Sequence, residues 1–87
     1  MASVQRRYPK EEFAARGDKI YQEQIRPLLK PEDSGRFCAV DIDSGDYELD
    51  DDELTAGDRL RDRIPESQIW MVRVGFDFVH RFGRSQH

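Results

Sequence analysis

The sequence predicts an α+β domain of two layers, α-β-β-α-β-β in order, with a four-stranded antiparallel sheet of strand order 2-1-3-4 and both helices on one face. Three observations lead there. The run from Phe37 to Ile42 is almost entirely apolar, as expected of a central strand covered on both faces. Asp43, Ser44 and Gly45 then supply turn chemistry, and Tyr47 and Leu49 alternate with Asp46, Glu48 and Asp50 in the pattern of a strand with one wet face. Finally, two segments with apolar residues at helical spacing bracket this hairpin.

The first helix begins at Pro9, which suits a first helical residue, and Glu11 and Glu12 favour the positive end of its dipole. Phe13, Gly17, Ile20, Tyr21, Gln24, Ile25 and Leu28 fall on one arc of that helix. Pro27 removes a backbone donor, so a kink or an end is expected between Gln24 and Arg26. A polar linker from Glu32 to Arg36 leads to the hairpin. Asp50 is the expected cap of the second helix, with Glu53 as the other half of a capping box. Leu54, Gly57, Leu60 and Ile64 form its apolar stripe, and Pro65 ends it.

Gln68 to Val74 reads as the third strand. Gly75 and Phe76 make a two-residue turn, and Asp77 to Phe82 returns as the fourth strand. A crossover by the second helix sets the third strand beside the first, which gives the order 2-1-3-4. Residues 1–8 read as a disordered N-terminal tail, residues 9–83 as the single domain and residues 84–87 as a C-terminal tail.

Composition narrows the function classes. At 87 residues, with 37% hydrophobic and 37% charged content, the core is thin, so a homodimer or a partner-bound state is expected. No apolar run is long enough to span a bilayer, and no signal-peptide apolar region opens the chain, which points to a cytoplasmic protein without membrane contact. Cys38 has no cysteine to pair with and reads as a small core residue. Residues 32–62 carry three basic and twelve acidic side chains, a charge that opposes indiscriminate binding to phosphate backbones. Nucleic acid is therefore an improbable partner.

No motif for chemistry is complete. Asp41, Asp43 and Asp46 fall on a turn, but a calcium loop starting at Asp41 would place glycine fifth and an aspartate, Asp52, twelfth, where a sixth-place glycine and a glutamate are required. Polar turn residues explain the cluster, and no metal or cofactor is expected. His80 and His87 are too few and too far apart for a metal site or a general base. No nucleophile elbow or phosphate loop is present, so no catalytic residue is assigned and the chain reads as a non-enzyme.

The segment from Gly75 to Phe82 partly echoes the RNA-recognition signature, in which strand aromatics stack on bases. Asp77 and Arg81 break that pattern, and core aromatics explain it better. Arg73, His80 and Arg81, with Phe76 and Phe78, still make this the most basic aromatic region near a sheet edge, and it is the expected partner-binding surface.

From Phe13 to Gly83 the chain resembles a group of small bacterial proteins of unknown function. The resemblance rests on Ala39 to Asp41, Ser44 to Glu48, Asp58 to Leu60, Gln68 to Trp70, Arg73 to Gly75 and Arg81 to Gly83. The strand-hairpin-helix-strand core is also similar, at the level of fold, to the reduced ribonuclease-H-like fold of HicB-type antitoxins, which bind a toxin partner and lack catalytic carboxylates. The chain departs from them in its additional N-terminal helix and in having no recognisable DNA-binding appendage. The functional expectation is a non-enzymatic protein-interaction module, antitoxin-like or adaptor. The alternative is a nucleic-acid-associated protein that uses the basic aromatic C-terminal hairpin.

Overall fold

A computed structural model of the chain describes residues 8–76. Helix α1 spans Lys10–Ile20, with Pro9 standing just before it as the cap residue. The helix does not stop at Ile20. It widens into a π turn over Tyr21–Ile25, closed by Arg26 N–H donating to the Tyr21 carbonyl, and then tightens into a 3-10 turn over Arg26–Leu28. Pro27 lacks an N–H, so the regular ladder cannot pass through it, and the helix changes pitch on the way out. The wide turn keeps both Tyr21 and Ile25 against the sheet at 1% exposure, whereas Leu28 swings out to 65%.

Strand β1 (Phe37–Asp41) is central. β2 (Tyr47–Asp50) lies on one side of it and β3 (Ile69–Arg73) on the other, both antiparallel to it. The hairpin between β1 and β2 turns where the sequence says it should. Gly45 has φ of 85°, a left-handed conformation that costs glycine no steric clash, and its N–H donates to the Asp41 carbonyl at 2.8 Å. Helix α2 (Glu53–Arg63) carries the chain from β2 over β1 to β3. Its cap is Asp52, not Asp50: the Asp52 Oδ2 accepts from Thr55 N at 2.9 Å and from Thr55 Oγ1 at 2.8 Å. Asp50 belongs to β2, and its carboxylate accepts from Asp52 N at 2.8 Å.

The expected sheet is corrected in two respects. Among the described residues its strand order is β2-β1-β3, three strands rather than four in the order 2-1-3-4. The fourth strand, expected over Asp77 to Phe82, lies outside the described residues, as does the boundary at residue 83. The helices also lie on opposite faces, so the layers number three. On one face Tyr21 and Ile25 pack with Cys38, Val40, Val72 and Val74; on the other Ala56 and Leu60 of α2 pack with Ala39.

Alternation along β1 sorts these residues: Cys38 and Val40 point one way, Phe37, Ala39 and Asp41 the other. A strand apolar on both faces needs a layer on each, and that requirement outweighs the two-layer arrangement. The misleading element was β2. Glu48 and Asp50 look like a wet face, but α2 covers them with arginines: Arg63 Nε reaches Glu48 at 2.8 Å and Arg59 reaches Asp50 at 3.4 Å.

α1 lies unusually close to its face of the sheet. A Cβ added at Gly17 would stand 2.3 Å from the Trp70 indole, so only glycine lets the helix rest on that ring. The stripe expected on α2 also shifts: Leu54 is 75% exposed, and Ala56 takes its place in the core. No helix among the described residues is long and apolar enough to cross a membrane.

Candidate functional site

The sheet has two edges, and hydrogen bonding decides which backbone groups face outward on each. Asp41 N donates to the Asp46 carbonyl at 2.8 Å, so along β2 the residues bonded to β1 are Asp46, Glu48 and Asp50. The backbone of Tyr47 and Leu49 therefore points away from the sheet. Arg63 covers part of this edge. Its guanidinium donates to the Tyr47 carbonyl at 3.3 Å while holding Glu48 at 2.8 Å and Asp46 at 3.7 Å. A charged side chain across an edge strand is a recognised guard against pairing with another chain.

The β3 edge is different. Ile42 N donates to the Gln68 carbonyl and Val74 N to the Arg36 carbonyl, so the even-numbered residues of this strand bond to β1. The N–H and C=O groups of Ile69 and Met71, and the N–H of Arg73, face outward. The Arg73 carbonyl accepts from Phe76 N at 3.1 Å, which ends the strand. That bond also moves the turn by one residue, making Val74 and Gly75 its central pair rather than Gly75 and Phe76. Among the described residues no strand lies beside this edge. The side chains flanking it are half-buried Ile69, Trp70 and Met71. Trp70 borders a shallow groove whose other walls are Ala14, Ala15 and Asp18 of α1.

At the end of this edge stands a small cation–π cluster. The Arg73 guanidinium lies 4.6 Å from the centre of the Phe76 ring and 5.5 Å from that of Phe37, and its Nε donates to the Gly35 carbonyl at 3.3 Å. Phe76 is 50% exposed. Two of the residues expected at a partner surface, Arg73 and Phe76, are thus brought together. The other three, Phe78, His80 and Arg81, lie outside the described residues. Phe37 was missed because it reads as a core strand residue. The signal that could have found it is the antiparallel register, which sets Phe37 directly opposite Arg73.

The acidic turn is occupied with holding the fold. Asp41 is buried, and its carboxylate accepts from Gln68 N at 2.9 Å, from Ser44 Oγ at 2.8 Å and from Asp43 N at 3.3 Å. It thereby ties the β1–β2 turn to the start of β3. Asp43 accepts from the Tyr8 hydroxyl at 2.7 Å. Among the described residues no group of three or more histidines, cysteines or carboxylates is placed to hold a metal ion. Cys38 is fully buried, and burial pushes its thiol up to about 12, far from the range of a reactive thiolate. In comparisons with family models, curated proteins and solved structures, nothing matched the chain.

Proposed function

We propose that this chain is a non-enzymatic protein-interaction module that takes an extended segment of a partner onto the outer edge of β3. The observation that carries the reading is an asymmetry among the described residues: Arg63 reaches an outward carbonyl of the β2 edge, while the apolar β3 edge presents N–H and C=O groups with no described strand beside them. An edge of that kind is a template for strand addition, in which main-chain hydrogen bonds provide affinity and flanking side chains provide selectivity. The Trp70 groove and the Arg73 cluster lie where such flanking contacts would form. An antitoxin-like or adaptor role is the form this activity would take.

Affinity capture with the full chain tests the proposal. Met71→Pro removes an outward N–H and leaves the β1 ladder untouched, because the Met71 N–H takes no part in it. A partner held by the wild-type chain and by Met71→Ala, which loses the same packing against α2 but keeps the N–H, and lost by Met71→Pro is the expected result. A partner held equally by both would remove the β3 edge from the account. The alternative, nucleic-acid association, draws on the exposed Phe76 and on Arg73. It requires micromolar binding to mixed-sequence single strands at physiological salt, dependent on Phe76. No gel shift is expected, since the acidic middle third repels phosphate.

A further inference from the structure

We infer that the segment received by the β3 edge runs antiparallel to it and carries an acidic residue opposite Arg73. This rests on the strand-addition reading and adds the chemistry of the partner. Among the described residues, every arginine of the sheet region and α2 except Arg73 lies within 4.0 Å of a carboxylate: Arg36 with Asp51, Arg59 with Asp50, Arg61 with Asp58, and Arg63 with Asp46 and Glu48. Arg73 instead lies over two aromatic rings and donates only its Nε, to a backbone carbonyl. Arg73 is exposed, and its terminal nitrogens make no hydrogen bond among the described residues, so the guanidinium can grip a carboxylate in bidentate fashion.

Strand register converts this into a pattern. The side chains of Ile69, Met71 and Arg73 share one face and those of Trp70 and Val72 the other. In an antiparallel neighbour, the residue opposite Arg73 comes first, and Arg73, with its carbonyl already taken, forms the terminal rung. The next residues fall opposite Val72, Met71, Trp70 and Ile69 in turn. The first and third of these, opposite Val72 and Trp70, lie on the α1 face, which carries the shallow, mostly apolar groove of Ala14, Ala15, Asp18 and Trp70. The expected segment is an acidic residue followed by an apolar-rich extended run.

The test uses two soluble peptides, acetyl-Ser-Glu-Val-Thr-Val-Thr-Ser-amide and the same peptide with Lys in place of Glu. Binding to the full chain is followed by the fluorescence of Trp70, the single tryptophan. Attraction replaced by like-charge repulsion across one strand pair should weaken binding about ten-fold. Arg73→Glu should reverse the preference, and the milder Arg73→Gln should bind both peptides alike. Equal affinity of the wild-type chain for the two peptides, abolished by Met71→Pro, would overturn the charge inference and leave the edge reading standing. Binding unaffected by Met71→Pro would overturn both. Failure of both peptides to bind would overturn the inference, and so would sedimentation as a dimer that Met71→Pro dissociates, since a second copy would then occupy the edge.

Discussion

The two edges of this sheet begin from the same backbone and end in opposite states. At β2, an arginine from the last turn of α2 reaches across the strand to an outward carbonyl and two carboxylates. At β3, Ile69, Trp70 and Met71 flank backbone groups unpaired among the described residues, and the nearest guanidinium, that of Arg73, lies on aromatic rings at the last rung. The difference teaches that edge protection here is selective. A chain that only avoided aggregation would guard both edges. Among the described residues β2 carries such a guard and β3 does not, and the proposed docking role rests on that difference.

The two layers behind those edges can be set against each other first, and the effect there should be largest. Gly17 of α1 rests on Trp70, beside the open edge, whereas Gly57 of α2 has room: an added Cβ would meet Met71 Cε at 3.6 Å, an ordinary contact. Gly17→Ala should destabilise the fold by roughly 1–3 kcal/mol through overpacking. Gly57→Ala should be neutral or stabilising by up to about 1 kcal/mol through helix propensity. Denaturant melts of both variants measure the contrast, and equal effects would mean that α1 does not sit on the indole.

Next in size is Asp41, which anchors the start of β3 to the β1–β2 turn. Asp41→Ala leaves the Gln68 N–H without this acceptor and should cost roughly 1–3 kcal/mol. An unchanged melting temperature would detach the turn from β3.

A smaller effect concerns the cap of the helix that supplies Arg63. Bonds from the Thr55 backbone and then from its hydroxyl hold the Asp52 carboxyl below its usual range. A carboxylate whose folded pKa is depressed stabilises above its unfolded value and loses that contribution as pH falls through the folded one. Asp52→Ala should therefore be less stable than the wild type at neutral pH, with the gap closing on acidification below about pH 4. A gap independent of pH would contradict the capping role.

Smallest in stability but sharpest for the comparison are the two arginines. Arg63→Ala and Arg73→Ala should each change stability by less than about 1 kcal/mol, because both side chains are exposed. They should part in behaviour: loss of Arg63 unguards β2 and promotes self-association, whereas loss of Arg73 affects only partner binding. Light scattering at increasing concentration separates them.

Much of this was legible in the residues. The apolar run from Phe37 and the turn at Gly45 are local chemistry, and the structure follows them; the kink or end expected between Gln24 and Arg26 is instead a change of pitch that begins at Tyr21 and continues as a 3-10 turn through Pro27 to Leu28. The layering was not, because Glu48 and Asp50 look solvated until α2 brings arginines 59 and 63 over them, and that is a tertiary event. For the same reason Leu28 and Leu54 count as core by periodicity but are exposed. At the candidate site, sequence chemistry picked out Arg73 and Phe76. Phe37 needed the β1–β3 register, and the guarded and open edges needed the hydrogen-bond phase of each strand.

That phase provides the most direct test of the open edge. Amide hydrogen exchange of the free chain, followed residue by residue by NMR, compares Met71 with its neighbour Val72. Val72 lies opposite Cys38 in a bonded pair, whereas the Met71 N–H faces outward. The account predicts that Val72 is protected close to the level of global unfolding while Met71 exchanges orders of magnitude faster. Equal, strong protection at both positions would show that the β3 edge is already covered, and would contradict a docking role for it.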